Sequence, residues 1–335
     1  MQTYAPIFTI TPEILNAVYE IAADLERIDI IREKALTPQL RKENRIKTIH
    51  SSLWIEANSL TLAQVTDIVN GKRVSGPKKD ILEVKNAIVA YDELLERNPY
   101  QEKDLLKQHE LLMNELISDA GKYRNSGVGV FDGEVPVHIA PPHQRVPMLM
   151  SQLLDWAENA KLPQVVKSCI FHYEFEFIHP FSDGNGRMGR MWQTLLLYRE
   201  NPVFAWLPIE TVIAQNQQEY YRALRRSTHH NDSGIFAQFM LTAIKQATAE
   251  FKEKYQKGEI GNADVNASVN AGVKLSKLQE KIIALIAKNG NISQSEIAKK
   301  LKINASTVYR NIEKLKQLEI IERKGSDKTG VWVVK

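Results

Sequence analysis

Apolar residues at helical spacing dominate the chain up to about residue 255. Ile14, Val18, Ile21 and Leu25 form one such series, and Thr11-Pro12 supplies an N-cap and a first helical residue ahead of it. The same spacing predicts more helix through the 40s and 50s, over 80–97 and 102–119, and from near Pro147 to about residue 255. One stretch changes period. Val128 and Val130 alternate with small residues, and Val135, Val137 and Ile139 alternate after Asp132-Gly133. Alternation around Asp-Gly predicts a β-hairpin, and Pro136, which has no N–H for a ladder, confines it to an edge or an exposed position. A plain surface hairpin and a flap that pairs with an extended peptide both fit this pattern.

Beyond residue 253 the pattern lapses. Residues 254–272 are rich in Gly, Asn, Ala and Lys and read as a linker. Periodicity then returns in a small unit over 273–335. Leu278, Ile282, Ile283, Leu285 and Ile286 mark one helix, Ser293 with Glu296 makes a capping box that opens a second, and Asn304 caps a third running through Val308, Ile312 and Leu315. Two alternating segments, Ile320 to Arg323 and Val331 to Val334, flank a Gly/Lys-rich turn. Three helices and a β-wing predict a winged helix-turn-helix. Its third helix carries Ser306, Thr307, Arg310, Asn311 and Lys314, residue types suited to phosphates and base edges.

Charge sharpens this division. The 335 residues carry a net +4, but Val273 to Lys335 holds 14 Lys and Arg against 6 Asp and Glu, or +8, which leaves −4 on the remainder. The basic tail favours nucleic acid as its partner, while a winged helix used for protein contacts stays open. The organisation is then a helical region over 1–100, a helical core over 101–253, the linker and the winged helix. Composition adds exclusions. With 43% apolar and 25% charged residues the chain reads as a soluble globular protein, with no signal-peptide pattern at its start and no apolar run of membrane length. The one cysteine, Cys169, excludes an internal disulfide framework and a Cys-based zinc site. A cytoplasmic location is expected.

The densest chemistry lies in His179-Pro180-Phe181-Ser182-Asp183-Gly184-Asn185-Gly186-Arg187-Met188-Gly189-Arg190. A helical apolar face (Val166, Ile170, Tyr173, Phe177) leads into it, Pro180 ends that helix at His179, and helical spacing resumes with Met191, Leu195 and Tyr198. A Gly-rich turn that opens a helix presents backbone N–H groups to an anion, and Arg187 and Arg190 add guanidiniums suited to phosphate. Asp183 is a single carboxylate beside that site, too little for calcium but suited to Mg²⁺ held partly by substrate phosphates. His179 can take a proton near neutral pH. The set fits nucleotidyl or phosphoryl transfer from a nucleoside triphosphate, and no P-loop motif occurs. His172, Glu176 and His179 also share a helical face that could bind zinc, but that reading leaves the Gly-rich loop and both arginines unexplained.

Residues 179–190 match in full the Fic signature H-P-F-x-[DE]-G-N-G-R-x-x-R, and the chain resembles the Fic family over roughly residues 1–250. Ile10 to Ile14, His138 to Pro142 and Tyr220 to Leu224 extend the likeness, and a winged helix behind a Fic domain is a familiar bacterial arrangement. The resemblance implies a mainly α fold with a hairpin flap and transfer of AMP from ATP to a Tyr, Thr or Ser hydroxyl of a target protein, or of the chain itself. His179 would be the base and Asp183 the Mg²⁺ ligand. Gly184, Asn185, Gly186, Arg187, Met188, Gly189 and Arg190 would bind phosphates, with Arg190 on the γ-phosphate. Val135, Pro136, Val137 and His138 would form the flap, and Tyr220 and Tyr221 the adenine pocket.

The family's inhibitory motif [ST]-x-x-x-E-[GN] is met by Ser52 to Glu56, on a helix expected over about 42–58, with Ala57 where Gly or Asn is usual and Asn58 after it. Glu56 would then pair with Arg190 and deny it to ATP. The resemblance also allows removal of AMP, with Glu56 orienting a water, and a homodimer, for which the sequence carries no motif. A DNA-binding regulator with the Fic domain as nucleotide sensor is a further reading.

Overall fold

The computed structural model describes residues 4–35, 38–132, 135–256, 277–290, 292–301, 303–317, 321–324 and 331–334. They divide into two compact units: 1–33 with 41–252, and 34–40 with 253–335.

In the first unit the helices are α1 (Pro12–Ala35), α2 (Pro38–Ile55), α3 (Leu62–Val69), α4 (Lys78–Glu93) and α5 (Glu102–Met113). A hairpin of β1 (Gly129–Asp132) and β2 (Val135–Ile139) precedes α6 (Val146–Asn159), α7 (Gln164–Ile178), α8 (Asn185–Glu200), α9 (Ile209–Gln215), α10 (Gln217–His230) and α11 (Ser233–Gln256). Thr11 caps α1 through its Oγ1, which accepts from the Ile14 N–H at 3.3 Å. Antiparallel pairing sets Val130 opposite His138 and Asp132 opposite Val135, with a register shift after Val130. Pro136 therefore sits in a two-stranded ribbon, where each strand has a free edge.

Two expected helices are shorter than the apolar period suggests. The segment over 102–119 leaves helix at Met113. Asn86 donates its Nδ2 to the Asn114 carbonyl at 2.7 Å, and Glu115 turns left-handed at φ 58°. The segment over 80–97 tightens into a 3-10 turn at Leu94–Glu96. Asn98-Pro99 then follows, where the proline disfavours helix. At the other end α11 continues to Gln256, so residues 254–256 of the expected linker are helical, and the rest of it lies outside the described residues.

α7 and α8 form the centre. Phe171, Phe175 and Ile178 from α7 and Met188, Met191, Trp192, Leu195 and Leu196 from α8 are all buried in one core with residues of α2, α4, α5 and α6. Sequence periodicity marks one face of α7, but the helix is buried nearly all round, as befits the middle of a bundle. Trp192 is fully buried with its Nε1–H on the Pro99 carbonyl at 2.9 Å. Truncating such a side chain costs about 3–5 kcal/mol. This rigid pair holds the loop over 179–184 between them.

The second unit contains α12 (Lys277–Lys288), α13 (Gln294–Leu301), α14 (Ala305–Gln317) and the antiparallel strands β3 (Ile321–Lys324) and β4 (Val331–Val334). Ile282, Ile286, Ile297, Val308, Ile312, Leu315 and Trp332 close its core. The capping box is formed: the Ser293 N–H donates to Glu296 Oε2 at 2.8 Å and the Glu296 N–H to Ser293 Oγ at 3.2 Å. A mainly α fold with a hairpin and a small winged helix is what the sequence predicts and what is observed.

Candidate active site

α7 stops where His179 adopts a left-handed conformation, φ 50° and ψ 63°, with its N–H still bonded to the Phe175 carbonyl. Its Nδ1 lies 3.4 Å from the Glu176 carbonyl. A carbonyl only accepts, so Nδ1 carries the proton and Nε2 keeps its lone pair. The strained cap is held by a residue that sequence reasoning did not single out. Arg124 is buried, and it donates to the carbonyls of His179 (2.7 Å), Ile178 (3.3 Å), Ser126 (2.8 Å) and Pro141. One guanidinium thus ties the end of α7 to the segments on either side of the hairpin.

The loop itself is bonded from within. Asn185 accepts from the Phe181 N–H and donates to the Phe181 carbonyl, both at 2.9 Å. Its side chain is therefore committed to shaping the loop, and only its N–H is left for an anion. Phe181 stacks on His109 with ring centroids 3.6 Å apart. His109 Nδ1 accepts from the Gly121 N–H, which places the proton on Nε2, 3.0 Å from the Asp183 carbonyl. Burial is the main reason that His109 is pushed down to about 4. Gly184 then takes φ 84°, a conformation that side chains resist. α8 begins at Asn185, and its first helical bond runs from the Met188 N–H to the Gly184 carbonyl at 2.9 Å. The N–H groups of Asn185, Gly186 and Arg187 precede that bond and point out of the helix end, an anion site by construction.

Arg187 and Arg190 diverge from this turn. Arg187 donates to Glu83 on α4 at 3.2 Å and to Asp183 Oδ1 at 3.1 Å. Asp183 Oδ1 also accepts from the Gly184 N–H at 2.6 Å, and the carboxylate is 48% exposed, so Oδ2 faces out of the loop. Arg190 turns the other way. Its Nη2 donates to Glu56 Oε1 at 2.8 Å and to the Ser52 carbonyl at 2.9 Å, and its Nε donates to Ser52 Oγ at 3.1 Å. Burial works against its charge, but Glu56 and then Glu176 outweigh that and hold it firmly protonated. The Glu56 carboxylate stands against Gly186, where a Cβ would collide with Oε1. It therefore lies on the first turn of the anion site itself.

Two further acids surround Arg190, and neither belongs to a recognisable motif. Burial raises the Glu176 carboxyl, but His172, His179 and Arg190 outweigh this and keep it below the usual carboxylate range. Glu210 is buried, and burial pushes it up to about 7 against the pull of its own backbone hydrogen bond and of Arg190. The zinc reading of His172, Glu176 and His179 does not survive. His172 Nδ1 is 2.7 Å from Gln193 Oε1 and its Nε2 is 3.1 Å from the Tyr220 hydroxyl, and no group of three candidate ligands forms among the described residues.

Several expected site residues are placed differently. Met188 is fully buried in the core, and Gly189 faces His172 and Glu176 across the α7–α8 contact, so neither can meet a phosphate. Tyr220 is buried with its hydroxyl on His172, and cannot line an open pocket. Tyr221 is half-buried and donates its hydroxyl to the Ile55 carbonyl at 3.2 Å, beside Gln217 at 2.8 Å. α10 thus caps the end of α2. Val135, Pro136, Val137 and His138 lie on β2, which runs beside α10, and their side chains lie outside the described residues. The same holds for Ser306, Arg310 and Lys314 on α14, whereas Thr307 and Asn311 are half-buried there. Cys169 is buried, and burial pushes its thiol up to about 12, so it is inert packing.

A mainly helical unit thus opens a helix on a glycine turn, with an imidazole before it and a carboxylate within it. The Fic/DOC family model matches residues 99–197, and a model described as winged helix-turn-helix DNA-binding matches 275–322. A crystal structure of a Fic family protein from Desulfovibrio desulfuricans G20 is 42% identical, with a TM-score of 0.75 over 99% of this chain and 98% of that one. The chain belongs to the Fic family. A protein adenylyltransferase Fic of Nematostella vectensis is 30% identical over 241 residues, 64% of this chain and 52% of the relative. The chain spans about half the length of such curated relatives. Fic-1 of C. elegans shares the fold, at 18% identity and a TM-score of 0.61.

Proposed function

We propose that the chain is a protein adenylyltransferase that moves AMP from ATP to a Tyr, Thr or Ser hydroxyl of a target protein or of itself, restrained by Glu56. The observation that carries this reading is His179, with its Nε2 lone pair free, beside the unpaired N–H groups that open α8. In the reaction the target oxygen attacks the α-phosphorus as Nε2 takes its proton, and pyrophosphate leaves. The N–H groups of Asn185, Gly186 and Arg187 hold phosphate oxygens as charge develops on them. Asp183 fits a Mg²⁺ ligand: it is one half-exposed carboxylate, and the described residues offer no larger ligand set, so most of the metal's shell would come from water and phosphate. A bound Mg²⁺ would neutralise charge on the phosphates.

Arg190 is the natural partner of the γ-phosphate, and it is occupied. Glu56, 31% exposed, offers one negative charge where the γ-phosphate would bring more. With Glu56 in place, ATP meets a repulsive carboxylate on the anion site and loses its guanidinium. Tyr221, rather than the buried Tyr220, is the aromatic face available to adenine. Incubation with α-labelled ATP and Mg²⁺ tests the reading: label on protein should rise in Glu56→Gly and vanish in Glu56→Gly/His179→Ala. A Glu56→Gly protein that binds ATP yet labels neither itself nor any lysate protein would sink it.

For the second unit we propose DNA binding, with α14 and its Ser306, Thr307, Arg310, Asn311 and Lys314 towards the major groove. The family match and the +8 charge of the tail support this. Duplex binding by the full chain should weaken with salt and be lost on truncation before Val273. Absence of salt-sensitive binding removes the proposal.

A further inference from the structure

α2 carries more than the Glu56 end. Eleven residues before Glu56, at Arg45, the same helix helps to line a cavity of about 340 Å³ in the first unit. Arg41, Lys42 and Arg45 bring three cations to its wall, and Trp206 and Asp92 face them. The Arg41 and Arg45 guanidiniums lie 5.2 and 5.4 Å from the centre of the Trp206 ring, which fixes them in place without neutralising them. Asn44 donates to the Trp206 backbone carbonyl at 2.9 Å and so ties the backbone at Trp206 to α2. Arg45 pairs with Asp92 at 2.6 Å, and Lys42 reaches only a neutral partner, Asn70 Oδ1, at 2.7 Å. Among the described residues, one carboxylate therefore answers three cations. Ile49 and Ile88 supply an apolar floor beneath them.

That chemistry selects its ligand. Two uncompensated positive charges call for a dianion, fixed guanidiniums match phosphate oxygens, and the apolar floor accepts a small hydrocarbon body. We propose that this cavity binds a small organic phosphate monoester and that its occupancy favours release of Glu56 from Arg190. The second half rests on Glu56 being the brake; the first half does not.

The coupling has a physical path. Arg41, Arg45, Ile49, Ser52 and Glu56 are spaced by three or four residues, so the cavity and the brake lie along one stripe of one helix, about 16 Å apart from Arg45 to Glu56 at 1.5 Å per residue. α4 makes the same journey. Asp92 sits at the cavity, while Glu83 on the same helix holds Arg187 at 3.2 Å and Asn58 Nδ2 at 2.8 Å. A phosphate that draws Arg45 from Asp92 changes how α2 and α4 are fastened to each other. Whatever shifts the brake must then, by reciprocity, change affinity at the cavity.

Calorimetric titration of the full chain with phenyl phosphate, inorganic phosphate and benzoate tests both halves. Phenyl phosphate should bind one to one and more tightly than either fragment probe. Arg41→Gln and Arg45→Gln should each weaken it at least tenfold while thermal stability is retained. It should bind several-fold more tightly to Glu56→Gly than to wild type. Absence of phenyl phosphate binding, or binding that survives both arginine variants and so belongs to the loop at α8, overturns the site. Equal affinity for wild type and Glu56→Gly overturns the coupling while leaving the site. Neither readout depends on AMP transfer, so failure of the catalytic reading is seen separately in the labelling assay.

Discussion

Arg187 and Arg190 leave the same turn of α8, and they are held in opposite ways. Arg187 is fixed by Glu83, whose side chain is 8% exposed, and by Asp183 of its own loop. Arg190 is met by a segment from the end of α2 whose one charge, Glu56, is 31% exposed and immediately precedes a left-handed turn at Ala57. The first contact is built from buried, mutually bonded groups and belongs to the fold. The second joins a buried arginine to a partly exposed carboxylate, which in the proposed function can leave. The proposed transferase uses both: one fixed guanidinium, to shape the loop, and one whose partner is exchanged for phosphate.

The widest separation of the two is catalytic. In the Glu56→Gly background, His179→Ala should lower the rate of self-labelling by about 10²–10⁴-fold, the usual contribution of a general base. Its thermal midpoint should barely move, because His179 is a half-exposed cap. Retained labelling would assign the base elsewhere. Arg187→Ala should do the reverse to the fold. It leaves the buried Glu83 with only the exposed Lys79, 3.9 Å away, as a cation, and losing the close partner costs up to about 3–5 kcal/mol, or about 10 °C in a unit of this size. Glu56→Ala should cost far less, since the remaining carboxylates and Ser52 still face Arg190. Equal losses for the two variants, measured by thermal denaturation, would erase the distinction.

Much of this was legible because the loop's chemistry is local. His179, Asp183, Gly184 and Asn185 act within seven residues, so their spacing carries the turn, the cap and the helix start. The Glu56–Arg190 pair was legible only through the resemblance, since its partners are 134 residues apart and a lone glutamate has no pattern. Arg124, Glu83, His109 and Glu210 were not legible at all. Each lies on a different element, and its meaning arises when the bundle closes. Tyr220 and Met188 fail for a related reason: position in a motif does not say which way a helix faces, and burial against α7 turned both inwards. The helix over 102–119 was overextended because Leu116 and Ile117 keep an apolar period inside a turn.

His109 offers a finer test of the fixed side. Its folded value is depressed to about 4 from an ordinary 6.5, so it stays neutral while the unfolded chain takes up a proton. The stability it contributes is complete above pH 6.5 and is lost as pH falls towards 4, by about 3 kcal/mol. His109→Gln should be less stable at pH 7 yet show a shallower fall in thermal midpoint between pH 6.5 and 4.5. Parallel curves for the two proteins would mean that His109 is protonated in the fold.

Ala57 gives the smallest expected effect and the most direct test of the exchangeable side. Its N–H bonds to the Trp54 carbonyl and the Asn58 N–H to the Leu53 carbonyl, a helix-ending turn that places Ala57 at φ 64°. Alanine there costs about 1 kcal/mol relative to glycine, because its Cβ crowds the backbone. The turn aims Glu56 at Arg190, so Ala57→Gly should stabilise the engaged brake, raise the midpoint by about 2–4 °C and lower basal labelling about fivefold. In the Glu56→Gly background the same change should leave labelling untouched while keeping its effect on the midpoint. If Ala57→Gly instead raises labelling in the wild-type background, the turn at residue 57 works against the Glu56–Arg190 contact, and the ease with which Glu56 leaves must come from its exposure alone.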